Sequence, residues 1–116
     1  MKYVCLIYGD GNQVDPLSPT EMDALGAEMD AYGDELRKNG HFVIGEALQP
    51  SHTGTTVRVR NGMVSTTDGP FAETKEQLGG FIIIEARDLN EAIRVASKMP
   101  AARYDSVEVR PIRELS

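Results

Sequence analysis

Three features of the sequence predict an α+β domain in which two helices cover one face of an antiparallel sheet. Short β-like runs far outnumber the two helical patterns, both helices begin with capping signals, and Asn61-Gly62 joins two alternating segments as a hairpin. At 116 residues the chain is sized for a single domain, residues 1–116, burying roughly two-thirds of its unfolded surface.

Residues 2–8 predict a first strand, apolar on both faces because Tyr3, Cys5 and Ile7 alternate with Val4, Leu6 and Tyr8. Gly9-Asp10-Gly11-Asn12 ends it, and a polar loop to about Leu17 is placed to close over a site. Ser18-Pro19-Thr20-Glu21 then starts a helix: Ser18 as N-cap, Pro19 at the first position, Glu21 completing a capping box. That helix runs to about Asn39 and stops at Gly40, with Met22, Leu25, Met29, Tyr32 and Leu36 as its inner stripe. Gly26 and Gly33 lie beside the stripe, and because each costs about 1 kcal/mol in a helix interior, they predict close approach to the sheet.

A second strand is predicted over 41–48, then a turn, then the hairpin Thr55–Arg60 with Met63–Thr67. Phe81–Ala86 gives another strand apolar on both faces. Asp88 caps a second helix with Glu91 three residues on and Leu89, Ala92, Ile93 and Ala96 as its buried stripe, ended by Met99-Pro100. Residues 106–113 supply the last strand. The order is a ferredoxin-like split βαβ plait with an inserted hairpin. Two helices cover one sheet face only, so the other apolar face predicts a homodimer joined sheet to sheet.

Composition limits function. With 18 acidic and 12 basic side chains the formal charge is −6, which opposes nucleic acids and anionic membranes as partners. The N-terminal apolar run is far shorter than the roughly 20 residues of a membrane span and lacks a signal-peptide cleavage region. A single cysteine, Cys5, forms no internal disulfide; a cytoplasmic protein is the expectation. His41 and His52 stand apart from any Cys/His/Asp cluster and no glycine-rich phosphate loop is present, so no metal and no cofactor are expected. Cys5, within an apolar strand, reads as a core residue rather than a reactive thiol.

TTVRVRNG at 55–62 and TDGPFAETKEQLGGF at 67–81 resemble the signature of the DGPF branch of the YCII-related family. KYVCLIYGD, SPTEM, VIGEALQP and PAARYDSVEVRPI extend the resemblance over essentially the whole chain. It implies a small dimeric plait, in a family mostly of uncharacterised function, whose dimer creates polar clefts. Some relatives outside the branch are thought to use a His-Asp pair for acid-base chemistry, and genes of the branch often neighbour those of extracytoplasmic-function sigma factors. Here the position of that His falls near Met29, which carries no proton, so the pair does not transfer.

The residues themselves leave two readings at each candidate position. Asp68 either accepts backbone N–H groups in an Asx-type turn or serves at a cleft as proton acceptor or ligand anchor, its pKa raised by partial burial. Phe71 is a core plug or a ligand stack. Glu73, Lys75 and Glu76 form a solvated short helix, or Lys75 binds an anionic group that Glu73 orients. Tyr8 and Asp10 make a surface turn or rim the same cleft. Arg58 and Arg60 share a hairpin face and pair with Glu46 or Glu85, or Arg58 forks onto a carboxylate or phosphate. Gly79-Gly80 marks a bulge or a close backbone passage. Two functions follow: a non-catalytic small-ligand-binding or regulatory module, linked to sigma factors by resemblance alone, and, as the alternative, an acid-base enzyme acting on a small anionic or carbonyl-bearing substrate with Asp68 as proton acceptor.

Overall fold

The computed structural model describes residues 1–10 and 17–114. The loop expected to close over a site falls mostly on 11–16 and lies outside the described residues. Strand β1 (Lys2–Gly9) leads to α1 (Pro19–Lys38), β2 (Phe42–Ala47), the hairpin β3 (Thr55–Arg60) and β4 (Met63–Asp68), β5 (Gln77–Glu85), α2 (Leu89–Ser97) and β6 (Ser106–Pro111). The main sheet has the order β2-β5-β1-β6 with antiparallel neighbours throughout, and β3-β4 forms a separate two-stranded sheet. This is the ferredoxin-like plait with its inserted hairpin.

Local chemistry sets the helix ends. Ser18 Oγ accepts from the Glu21 amide and Glu21 Oε1 accepts from the Ser18 amide, both at 3.2 Å, completing the reciprocal capping box. At the other end Gly40 takes φ +77°, and the His41 and Gly40 amides return to the Leu36 and Arg37 carbonyls, a Schellman stop. Asp88 Oδ1 accepts from the Glu91 amide at 2.8 Å, while Glu91 accepts from Arg87. Asn61 and Gly62 both adopt positive φ, as a two-residue hairpin turn requires.

Strand alternation places Tyr3 and Cys5 of β1 and Ile82 and Ile84 of β5 on the helix side, where they form one buried core with Leu36, Ala92, Val95, Ala96 and Met99. The helices therefore share a face. On α2 the buried stripe is Ala92, Val95 and Ala96; Leu89 and Ile93, expected inside, are about half exposed. No helix among the described residues is long and apolar enough to cross a membrane.

Two expectations change between β4 and β5. β5 begins at Gln77 rather than Phe81, because Gly79 and Gly80 stay in the sheet: the Leu48 amide donates to the Gly79 carbonyl, and a register shift opposite Ile7/Tyr8 absorbs the extra residue. A Cβ on Gly80 would lie 3.0 Å from the Glu46 carbonyl oxygen, so the expected bulge and close passage are both present. Residues 70–76 form bends, not the short helix, held by the Gln77 side-chain Nε2 donating to the Ala72 carbonyl and to the Thr74 carbonyl and hydroxyl.

Candidate functional site

The predicted packing of α1 holds at one end and fails at the other. At Gly33, which is buried, an added Cβ would meet Phe42 at 4.0 Å; at Gly26 it would meet nothing within 4 Å, and Met22 is 55% exposed. The N-terminal half of α1 stands off the sheet. Between them runs a groove of about 740 Å³, a size that suits a small molecule.

The two walls are built differently. On the helix side Met22, Leu25 and Met29 supply flexible apolar surface, the two thioethers able to adapt to irregular shapes. The sheet side is formed by the small residues Gly45, Ala47, Gly79 and Gly80, flanked by the apolar side chains of Ile7, Phe42, Leu48 and Ile82. Its glycines are held there by packing: a Cβ on Gly45 would come within 3.1 Å of Ile82 and 3.2 Å of the Phe81 carbonyl. Asp30, Asp34, Arg37 and Glu46 provide the polar edge. Of these, Arg37 is committed, donating to Asp34 at 2.8 Å and lying 4.1 Å over the Phe42 ring. An apolar trough with a net-acidic polar edge suits a ligand with an apolar body and a hydrogen-bonding or cationic head.

The residues singled out from sequence lie elsewhere. Tyr8, near the end of β1, pairs with Leu78 and Ser106, and Asp10 follows directly. Arg58 sits mid-hairpin opposite Ser65, and Asp68 closes β4 opposite Thr55; both are exposed. Glu73 and Lys75 are exposed in the bends before β5. Phe71 is 81% exposed, which removes the core-plug reading. None of these seven lines the groove. The Asx-type turn is also replaced: the Gly69 amide donates to the Gly54 carbonyl at 2.7 Å and Thr56 Oγ1 to the Gly69 carbonyl, with Gly69 at φ +98°, so backbone and Thr56 hold the turn. Arg58 and Arg60 make no ion pair with Glu46 or Glu85, because the hairpin is a separate sheet; Glu85 pairs with the N-terminal amine and Arg60 donates to the Val59 carbonyl.

Where β1 ends, the structure adds a residue the sequence did not flag. Asp105 Oδ1 lies 2.7 Å from where a Gly9 Cβ would be, so Gly9 admits the carboxylate against the strand. Burial, and then the nearby charge of Glu76, hold the Asp105 carboxyl above its ordinary range. Burial also pushes the Cys5 thiol up to about 11, as expected of a core cysteine. His41 Nδ1 lies 2.8 Å from the Glu85 carbonyl oxygen, and among the described residues no group of three or more His, Cys, Asp or Glu is placed to hold a metal.

The groove residues carried a weak signal in the sequence: small residues on both sides, Gly26 and Gly33 on the helix and Gly45, Ala47, Gly79 and Gly80 on the strands. Small residues fit tight packing and an open trough equally well, which is why only the structure separates them. An uncharacterised protein of Rhizobium meliloti (strain 1021) is 33% identical over 114 residues, covering 97% of this chain and 92% of the relative. The family profile of the YCII-related domain matches residues 1–116, end to end, and the chain belongs to that family.

Proposed function

We propose that this domain is a non-catalytic ligand-binding module that takes a small molecule with an apolar body and a polar head into the groove between α1 and the sheet. The observation that carries it is the separation at Gly26, where the helix leaves the sheet and exposes methionine and leucine side chains above a floor of small and apolar residues. Burying apolar ligand surface there gains about 25 cal/mol per Å². Met29, in the wall near where a proton-transferring residue of relatives would stand, offers shape rather than acid-base chemistry.

The reading includes a homodimer through the open sheet face. Val4, Leu6, Phe81 and Ile83 are only half-buried there and Ile44 is 46% exposed, an apolar strip wide enough to need a cover. A cytoplasmic setting and a regulatory role beside a sigma factor complete it, the latter resting on the resemblance of the DGPF motif alone.

A thermal-shift screen of a metabolite library on wild type, Met29→Trp and Asp68→Asn, with every hit then assayed for turnover, tests the site. Hits should stabilise wild type and Asp68→Asn, fail with Met29→Trp, and be recovered unchanged. Binding indifferent to Met29→Trp would move the site out of the groove. Turnover lost in Asp68→Asn would establish the acid-base enzyme instead. Equilibrium sedimentation showing only monomer at micromolar concentration would remove the dimer.

A further inference from the structure

The β3-β4 hairpin carries a valine-rich face that is left exposed. Register puts Val57, Val59 and Val64 with Thr66 on one face and Arg58, Arg60 and Ser65 with Met63 on the other. The three valines are 60%, 55% and 69% exposed. Among the described residues no hydrogen bond joins 57–66 to anything outside the hairpin, which is tied down only at its base through Gly54, Thr56 and Gly69. A two-stranded ribbon of this kind is marginally stable in water without a packed face.

The shape of the chain shows how much cover is missing. Its radius of gyration is 16.1 Å against about 13 Å for a compact domain of this length. It exposes 8401 Å², about a third more than the roughly 6,200 Å² of a folded monomer of 12.7 kDa. The excess is more than twice the about 800 Å² that each partner gives to a stable interface. Charge points to the occupant: the hairpin, residues 55–68, carries Arg58 and Arg60 against Asp68, a net positive arm, while the chain as a whole is at −6. A second copy therefore attracts the hairpin, whereas a nucleic acid or anionic membrane is repelled by the body behind it.

We propose that the hairpin is an exchanged arm, its valine face laid on the body of a second copy beside the sheet-to-sheet contact, with Arg58 and Arg60 on the outer side. This rests on the open-face dimer of the preceding reading and adds a second, separable contact to it. The exposed valines then become interface core, and the ribbon gains the packed face it lacks.

Amide hydrogen exchange and equilibrium sedimentation on wild type, Leu6→Glu and the triple variant Val57→Thr/Val59→Thr/Val64→Thr test it; threonine keeps the β-propensity of the ribbon. In wild type, hairpin amides should be protected at high concentration and lose that protection on dilution or in monomeric Leu6→Glu. The threonine variant should dimerise about tenfold more weakly or worse, with the main sheet still protected. Hairpin amides exposed in a wild-type dimer, or equally protected after dilution to monomer, would overturn the arm while leaving the dimer standing. An unchanged dimer constant in the threonine variant would do the same, and a wild type that never dimerises would remove both readings. Dilution needs no variant, so the test survives if Leu6→Glu does not fold.

Discussion

The guanidinium of Arg37 lies 4.1 Å from the centroid of the Phe42 ring, across the junction where the last turn of α1 meets the first residue of β2. Arg37 also donates to Asp34 on its own helix, and both residues line the groove. Together they fasten the closed end of the trough, while the other end of α1 stands away. Arg37 is 56% exposed, so the contact is worth about 0.5–1 kcal/mol. Arg37→Ala should lower stability by that amount in denaturant titration, with a smaller loss for Arg37→Lys, whose ammonium lacks the planar stack. A loss unchanged in a Phe42→Leu background would show that the ring is not the partner.

Gly26 and Gly80 should respond to alanine in opposite directions. Gly26 is an exposed mid-helix glycine with nothing within 4 Å of an added methyl, so Gly26→Ala should stabilise by about 0.5–1 kcal/mol through helix propensity. A Cβ on Gly80 would lie 3.0 Å from the Glu46 carbonyl oxygen and 3.4 Å from the Ala47 Cα, backbone that cannot swing aside. Gly80→Ala should therefore cost about 1–3 kcal/mol, in the range of overpacking. Thermal melts of the two variants check this directly; a stabilised Gly80→Ala would mean that β2 and β5 separate more easily than their pairing suggests.

What was legible in the sequence was local chemistry. Ser18 with Glu21, Asp88 with its helix, and Asn61-Gly62 each name their own geometry within four residues, and all three are as expected. Long-range fit was not legible. In α2, only nine residues long, a stripe through Leu89 and Ile93 and one through Val95 both satisfy helical spacing, and the sheet selects the latter. Gly79 and Gly80 were legible as a bulge or close passage, but not as part of a strand that starts at Gln77: Gly80 pairs with Ile7 and Ala47, and Gly79 is the extra residue between them and the Tyr8–Leu78 pair. The groove escaped because Met22, Leu25 and Met29 have the pattern of a core stripe whether or not the sheet reaches them.

Asp105 should make stability fall with rising pH. Its carboxyl is held above the ordinary 3.8, by burial first and by the charge of Glu76 second, so folding favours the protonated form. The penalty is absent well below 3.8, develops as pH rises through the unfolded and then the raised folded value, and is complete above both. Asp105→Asn carries no such charge. The melting temperature of Asp105→Asn relative to wild type should climb across that interval and then level off. Glu76→Gln should narrow the interval less than Asp105→Asn does, because burial is the larger cause. A difference constant with pH would exclude the mechanism.

Cys5 should report opening of the core. Its side chain is 0% exposed, packed among Tyr3, Ile82 and Ile84 in the central strands, and burial pushes its thiol up to about 11. At pH 8 the thiolate fraction in the native state is then only about one in a thousand, and reagent has no path to the sulfur. Labelling by an aromatic disulfide must therefore wait for the sheet to separate from the helices, and its rate follows the population of open molecules. The expected outcome is labelling slowed by several orders of magnitude against the unfolded chain, accelerating with denaturant along the slope of global unfolding. Rapid labelling in native buffer would mean that α1 lifts off the sheet as far as Cys5, carrying the separation seen at Gly26 through the whole helix.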